Sequence, residues 1–273
     1  MTMTTEELIR QLKIKDLAIF GIGFVAEMFF QALDLHGLTS GIQFFAVSNA
    51  REGQQFHGKP VYSLEAAPFS ETTLLCLAVH ESTAKDLQKQ MENYPSKSVW
   101  VYPNLYDLLY GNPIQTDKTQ ALSELLSQQN QEEYWLVVRY AAIRDYLRRA
   151  DAYSHTRKLY LRALSLHCGN ETAVQRCGQM EELALSMEEE GFRRECPVLI
   201  DETGRIIDGL HRVACAVYLQ IESVPAVVYR SSPVYDRLLT ERNRLPECVL
   251  RDAGFTAEDM FFIRKAHDEL FDR

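Results

Sequence analysis

Short apolar runs recur along the N-terminal part of the chain and predict buried β-strands. The runs are Asp16–Phe20, Ile42–Val47, Thr73–Val79 and Val99–Tyr102. Helical spacing of apolar residues follows the first and the third run, from Phe24 to about His36 and from about Glu81 to Asn93. Near-continuous apolar strands that alternate with helices are typical of a parallel sheet covered on both faces. We therefore predict an α/β fold that begins with a small parallel-sheet domain.

The second half of the chain has a different pattern, in which a helical block precedes the strands. The segments with helical spacing are Tyr134–Arg149, Ser154–His167 and Gln179–Glu190. The apolar strands that follow are Pro197–Asp201, Arg205–Asp208 and Val224–Tyr229. The turn Glu202–Gly204 makes the first two strands a hairpin, and a small-residue helix, His211–Leu219, precedes the third. Thr256 and Asp259 form a capping signature for a C-terminal helix. This order predicts a helical connector followed by an α+β domain.

The stretch Gly111–Gln120 is predicted to be the linker between the two halves. It contains Gly, Pro and polar residues and shows no apolar periodicity. It separates a domain over 1–112 from a domain over 113–273, and a length of 273 residues favours such a division. Within the first domain, Ser63 is predicted to be the N-cap of a short helix after the turn at Gly58.

Composition and charge limit the classes of binding partner that we expect for this protein. The net charge is −9, from 29 Lys and Arg against 38 Asp and Glu. This disfavours a general nucleic-acid binder, because phosphate neutralisation needs a basic surface. No apolar run approaches the ~18–20 residues that span a bilayer, and the N-terminus carries acidic residues and no apolar core of signal-peptide length, so we expect a cytoplasmic protein outside the membrane. The six cysteines include no C-x-x-C pair and are expected to be free thiols, so no protein metal centre is predicted. Self-association into a homo-oligomer stays open.

A glycine turn follows the first predicted strand. Gly21, Gly23 and Ala26 stand at the spacing of the dinucleotide fingerprint, between a strand and a helix. Such a turn lets a phosphate approach the amides at the helix N-terminus. The acidic residue that would bind the ribose hydroxyls at the end of the second strand is missing, because Ser48 and Asn49 stand there.

Three interpretations of this turn stay open: close packing of the helix on its sheet, a nucleotide or nucleotide-sugar site that includes Asn49, and NAD(P) chemistry. The segment resembles the small Rossmann-like modules found beside bacterial sugar-modifying and surface-polysaccharide enzymes. That resemblance implies bacterial polysaccharide metabolism as the setting and does not require hydride transfer.

A second glycine, Gly209, lies at a predicted strand-to-helix corner that contains several polar and charged residues. The hairpin ends in Asp208-Gly209 and passes straight into a helix, which leaves the amides at Gly209 and Leu210 without helical partners. With Arg212 and His211 these amides form a compact anion site that suits a phosphate group. Asp208 is placed to bind Mg²⁺ or to orient a hydroxyl. Arg193 and Arg194, after the helix stop at Gly191, add further charge.

The segment between residues 181 and 228, with Asp208-Gly209-Leu210-His211-Arg212 near its centre, resembles the ParB/sulfiredoxin fold. Sulfiredoxins place a nucleophilic Cys where Leu210 stands here, so repair of sulfinic acids is not expected. Partition-type ParB proteins carry Glu at that position and add a DNA-reading helix-turn-helix, which disfavours DNA partition as well.

The free serine kinases of this superfamily carry a similar Asp-Gly-x-His-Arg motif. The resemblance implies ATP or ADP phosphates at Gly209–Arg212, with Mg²⁺, and Asp208 and His211 near the transferred group. Those kinases also use an upstream glutamate as base, for which Glu182 is a candidate. We expect phosphotransfer to a small molecule or nucleotide hydrolysis. The alternatives are a non-catalytic nucleotide sensor or scaffold, and a nicotinamide-dependent redox enzyme that uses the first glycine turn.

Each residue of the corner also has a purely structural interpretation. Asp208 is able to cap the following helix. In this interpretation His211 is a partly buried helix residue that hydrogen-bonds to a carbonyl. Arg212 forms a local ion pair with Asp201 or Glu202. The arginines of the helix Tyr134–Arg149 usually form a solvated face. The functional alternative is that Arg139 or Arg144 reaches the pocket and binds an acidic substrate.

Overall fold

The computed structural model describes residues 3–232 and 245–272, and the chain divides into two compact units, 1–111 and 112–273. Each unit has its own β-sheet, and the larger of the two sheets is mostly parallel. The α/β class predicted from the alternating pattern is therefore confirmed.

Unit 1 alternates strands and helices around a central sheet. Its helices are α1 (Thr5–Ile14), α2 (Phe24–Leu35), α3 (Glu81–Met91) and α4 (Leu105–Tyr110), and its strands are β1 (Asp16–Phe20), β2 (Ile42–Val47), β3 (Gln55–Phe56), β4 (Lys59–Ser63), β5 (Thr73–Leu77) and β6 (Lys97–Trp100). The strand order is β3-β4-β2-β1-β5-β6. Every neighbouring pair except β3–β4 is parallel, so the carboxyl ends of five strands meet at one edge of the sheet.

The helix predicted after Ser63 is wrong. Ser63 is the last residue of β4, which pairs with β2 in parallel, and Val61 is buried in that pairing. The strand escapes notice because it is short and contains Lys and Pro. The turn before it, His57-Gly58, has positive φ at both residues (48° and 73°), which is the geometry of a tight hairpin between β3 and β4.

Unit 2 combines a helical layer with a smaller sheet. Its helices are α5 (Leu122–Ser127), α6 (Trp135–Leu147), α7 (Tyr153–Ser165), α8 (Asn170–Glu190), α9 (Leu210–Tyr218), α10 (Glu247–Asp252) and α11 (Ala257–Phe271). Its strands are β7 (Gln115–Ala121), β8 (Val198–Asp201), β9 (Ile206–Asp208) and β10 (Ser223–Tyr229). The strand order is β7-β10-β8-β9. The predicted hairpin is confirmed as β8–β9, and β10 lies parallel to β8.

The linker predicted at Gly111–Gln120 is wrong over most of its length. Residues 115–121 form β7, which pairs in antiparallel fashion with β10. β7 is an edge strand whose side chains are mostly exposed, and Gln120 is its one buried side chain. A polar edge strand lacks the apolar alternation on which strand prediction depends.

Helix α8 is longer than predicted, since it begins at Asn170 and not near Gln179. Its buried positions include Ala173, Cys177 and Met180, at the i, i+4 and i+7 spacing of one helix face. Small side chains and the mid-helix Gly178 conceal that spacing in the sequence.

Helix α6 runs through the middle of the helical layer and packs against α7, α8, α9 and α11. Most of its side chains are buried, from Trp135 to Asp145. In the described ranges, no helix is long and apolar enough to cross a membrane.

Candidate functional site

The corner between β9 and α9 is shaped by Gly209. This residue is the N-cap of α9 and has φ +106°, a left-handed conformation that favours glycine. A Cβ atom there would lie 3.3 Å from Cγ1 of Val198 and 3.3 Å from Nη2 of Arg212. The N-cap position is Gly209, which has no side chain, and Asp208 pairs with Arg212 and not with an amide of α9, so the structural interpretation of Asp208 as a helix cap is wrong.

Arg212 holds the two sides of the corner together. Its Nη1 donates hydrogen bonds to the carbonyl oxygens of Cys196 and Pro197, each at 2.6 Å, and its Nη2 lies 3.0 Å from Oδ2 of Asp208. The alternative pairing of Arg212 with Asp201 is wrong, because Asp201 binds Arg205. The guanidinium is therefore a neighbour of the α9 N-terminus and is already engaged with backbone and carboxylate oxygens.

His211 connects α9 to the helical layer. Its Nε2 lies 2.5 Å from the hydroxyl of Tyr160 on α7 and 3.2 Å from Nε of Arg139 on α6. The interpretation that a carbonyl satisfies His211 is wrong. An arginine Nε is only a donor, so Nε2 of His211 accepts and the ring carries its proton on Nδ1. Nδ1 has no hydrogen-bond partner within the described ranges.

The charges around His211 keep its ring neutral. Burial lowers the pKa of His211 well below its ordinary value, and Arg139, Arg176 and Arg212 lower it further. Burial raises the pKa of Tyr160, so its hydroxyl keeps the proton that it shares with His211. At neutral pH His211 is thus a hydrogen-bond donor through Nδ1.

Arg139 lies in this site, and no carboxylate among the described residues forms an ion pair with it. Its Nη1 donates to the carbonyl of Trp135, 2.9 Å away, and the guanidinium carbon stands 4.7 Å above the centre of the Trp135 ring. Burial lowers the pKa of Arg139, and the nearby Arg176 adds to that effect. Arg144, the other candidate on this helix, is buried in ion pairs with Asp145 and Glu269, so its assignment to an acidic substrate is wrong.

Arg176 is a site residue that the sequence did not reveal. It lies on α8, partly buried, between the buried Ala173 and Cys177. A basic residue inside the apolar spacing of a helix was the signal that could have found it.

The remaining candidates for phosphate binding are two surface arginines and Leu210. Arg193 and Arg194 are both exposed, and Arg193 forms an ion pair with Glu190. Leu210 is partly buried and packs against the core, so it contributes to the corner through its backbone.

The upstream carboxylate that faces inward on α8 is Glu181. Glu182 is exposed, whereas Glu181 accepts hydrogen bonds from Tyr153, Arg157 (2.9 Å) and Cys177 (3.6 Å). Burial favours protonation, but the hydrogen bonds from Tyr153 and Arg157 outweigh it and lower the pKa of Glu181. Glu181 is therefore a firmly ionised carboxylate.

The glycine turn of unit 1 is largely explained by packing. Gly21 has φ +114°, and a Cβ atom there would lie 2.9 Å from the carbonyl oxygen of Ala78. Ala26 is fully buried, while Gly23 is exposed with open space around it. Asn49 is exposed after β2, beside an open cleft of about 400 Å³ lined by residues 50–54 and 60–63.

No family model matches this chain, and neither do curated proteins or solved structures.

Proposed function

We propose that unit 2 binds the phosphates of a nucleotide at the corner Asp208–Arg212 and acts as a small-molecule phosphotransferase or nucleotide hydrolase. The observation that carries the proposal is the gathering of Arg139, Arg176 and Arg212 around a neutral His211. This concentration of positive charge belongs to a chain whose net charge is −9. Anionic ligands gain most where guanidinium groups and helix N-terminal amides converge.

The geometry supports a division of labour among these groups. The uncapped N-terminus of α9 supplies backbone amides, and His211 supplies the Nδ1 proton. Within the described ranges, the hydrogen-bond partners of Arg139 are neutral, and a ligand oxyanion is able to replace them. Arg212 keeps Gly209 and the end of β9 in place, and turns toward the ligand only if Asp208 releases it.

Asp208 is the carboxylate of this corner. Oδ2 pairs with Arg212, Oδ1 has no partner in the described ranges, and the side chain is 38% exposed. Among the described residues, no three His, Cys, Asp or Glu side chains are grouped to hold a metal alone. One carboxylate together with ligand phosphates is the kind of site that Mg²⁺ accepts, so Asp208 is the residue that would hold it. Bound there, Mg²⁺ would neutralise phosphate charge.

We also propose the finer architecture: a Rossmann-like unit 1 and a ParB/sulfiredoxin-like unit 2. The order hairpin, Gly209 corner, helix and parallel strand in unit 2 supports the second assignment. The parallel sheet and the glycine turn after β1 support the first. Bacterial polysaccharide or small-metabolite chemistry in the cytoplasm remains the proposed setting.

A non-catalytic nucleotide sensor is the second candidate, and the state of His211 favours it. A general base needs a free lone pair and a pKa near the working pH. The Nε2 lone pair of His211 is occupied by two donors, and the pKa lies well below its ordinary range. A sensor needs the same anion site without a base.

Calorimetric titration tests binding, with ATP, ADP, CTP and NADH, each with and without Mg²⁺. We expect nucleotide binding that weakens in Arg212→Ala, with the fold checked by circular dichroism. Phosphorus NMR of the same samples separates the candidates, since Mg²⁺-dependent turnover indicates an enzyme and binding alone indicates a sensor. If no nucleotide binds, the proposal fails. NADH binding that disappears in Gly23→Val would instead assign the ligand to unit 1.

A further inference from the structure

We infer that the anion site extends onto α8, where Arg176 binds a second anionic group, so that the site selects diphosphates over single phosphates. This inference rests on the proposed phosphate site and names the class of ligand that it takes. The chemistry is that of two linked phosphates, as in pyrophosphate or the end of a nucleoside di- or triphosphate.

The arginines of unit 2 differ in how their charge is balanced. The described residues of unit 2 include five arginines that are buried or partly buried: Arg139, Arg144, Arg157, Arg176 and Arg212. Three of them have carboxylate partners, since Arg144 pairs with Asp145 and Glu269, Arg157 with Glu181, and Arg212 with Asp208. Within residues 3–232 and 245–272, neither Arg139 nor Arg176 has a carboxylate partner. A guanidinium that is even partly buried without a counter-charge is unfavourable, so an external anion is the expected partner.

Arg176 is placed on the wall of the same site. It precedes the fully buried Cys177 on α8, and α8 packs against both α6, which carries Arg139, and α9, which carries His211. Within the described chain, no hydrogen bond or ion pair occupies its guanidinium. Arg176 is therefore the third basic group of the site, and among the three it has the fewest hydrogen bonds and ion pairs within the described chain.

The electrostatics of the neighbours support this placement. Burial is the largest cause of the lowered pKa of both Arg139 and His211, and the charge of Arg176 lowers both pKa values further. Tyr160 and the carboxylate of Asp208 act on the pKa of Arg139 in the opposite direction. Like charges that are not screened by a carboxylate repel one another until an anion enters.

The charge balance indicates the size of the ligand. Asp208 offsets Arg212, and His211 is neutral, so Arg139 and Arg176 leave two positive charges to be matched. Because these two arginines lie on different helices, two linked anionic groups reach them better than one. A diphosphate supplies one group to Arg139 and the α9 corner and another to Arg176.

The test is calorimetric titration of the full chain with inorganic phosphate and with pyrophosphate, without Mg²⁺. We compare the wild type with Arg176→Gln and with Lys265→Gln, which removes the same charge from an exposed position on α11 that has no hydrogen bond or ion pair within the described ranges. The wild type should bind pyrophosphate at least about tenfold more tightly than phosphate, because a charge-assisted contact contributes roughly that factor. Arg176→Gln should lose most of this preference and change phosphate affinity much less. Lys265→Gln should behave as the wild type.

Several results would overturn the inference and are distinguishable from failure of the proposed function. Equal affinity of the wild type for the two anions, or an equal loss of both in Arg176→Gln, removes the role of Arg176 but keeps the phosphate site. Binding of neither anion by the wild type removes the proposed site, and the inference with it. If Arg176→Gln does not fold, Arg176→Met keeps the aliphatic stem and is titrated in its place, with the same preference expected to vanish.

Discussion

Nε of Arg139 donates a hydrogen bond to Nε2 of His211 across 3.2 Å, although the two residues are 72 positions apart in the chain. This contact sets the protonation of the histidine, because an arginine Nε is never an acceptor. Among the described residues, the hydrogen-bond partners of Arg139 are neutral groups and include no carboxylate. A neutral histidine beside an uncompensated arginine is an arrangement that an anion stabilises.

Removal of Arg139 should weaken anion binding. In Arg139→Gln we expect pyrophosphate affinity to fall by about tenfold to a few hundredfold, since a charge-assisted hydrogen bond contributes roughly 1.5–3 kcal/mol. Calorimetry measures the change. Arg148→Gln is the matched control, because Arg148 is an exposed arginine of the segment that follows α6 and stands over Tyr218. An equal loss of pyrophosphate affinity in both variants would mean that the loss comes from the change in net charge and not from removal of a site residue.

Acidification should destabilise the folded chain through His211. Burial and Arg139, Arg176 and Arg212 hold the pKa of His211 below its ordinary value of 6.5 in the folded state. Below about pH 6.5 the unfolded chain therefore binds more protons than the folded chain. The free energy of unfolding decreases as the pH is lowered, until the pH passes the pKa of His211 in the folded state. Urea unfolding at about pH 7.5 and about pH 5.5 measures this loss.

His211→Gln supplies the control for the pH dependence, because glutamine keeps an acceptor for Arg139 and Tyr160 but does not titrate. Its loss of stability between the two pH values should be smaller than that of the wild type. Glu181 and Asp201 also have lowered pKa values, but their ordinary values of 4.5 and 3.8 lie below this window. An identical loss in the two proteins would contradict the pKa assignment.

Two glycines of unit 2 should respond to alanine in opposite directions. Gly209→Ala places a Cβ atom 3.3 Å from Val198 in a left-handed backbone, and should lower the free energy of unfolding by about 1–3 kcal/mol. Gly178→Ala lies inside α8 with nothing within 4 Å of the new atom, and should raise it by about 0.5–1 kcal/mol. Denaturant unfolding of the two variants checks both signs. A neutral Gly209→Ala would show that the corner does not need its left-handed turn.

Asp208→Asn separates binding from turnover. Loss of the carboxylate charge releases Arg212, so phosphate affinity without Mg²⁺ should rise by a few-fold. If Asp208 holds Mg²⁺, turnover measured by phosphorus NMR should fall much more than nucleotide affinity. Equal changes in affinity and turnover would argue against a metal-binding role. The variant should keep most of its stability, because Asp208 does not cap α9 and Arg212 retains its hydrogen bonds to the carbonyls of Cys196 and Pro197.

The local chemistry of the corner could be predicted because it resides in adjacent residues. The turn Glu202–Gly204, the apolar residues on each side of it and the Asp208-Gly209 step are readable from a short window, and the β8–β9 hairpin follows them. The central parallel strands β1, β2 and β5 of unit 1 were also predictable, because buried strands consist almost entirely of apolar residues.

Elements without a local apolar signal were beyond prediction. β7 is polar because it lies at a sheet edge, and it is a strand only because β10, more than a hundred residues later, supplies its hydrogen bonds. The early start of α8 was concealed by small residues that are buried by neighbouring helices.

The sequence by itself determined the α/β class, the hairpin and the glycine that opens α9, since turn chemistry and apolar periodicity act between near neighbours. Only the tertiary structure decided which polar groups meet His211. Tyr160 and Arg139 reach it from two other helices, 51 and 72 residues away in sequence. That convergence depends on how α6, α7 and α9 pack, and helix packing is set by the shapes of many side chains together, which no short stretch of sequence contains.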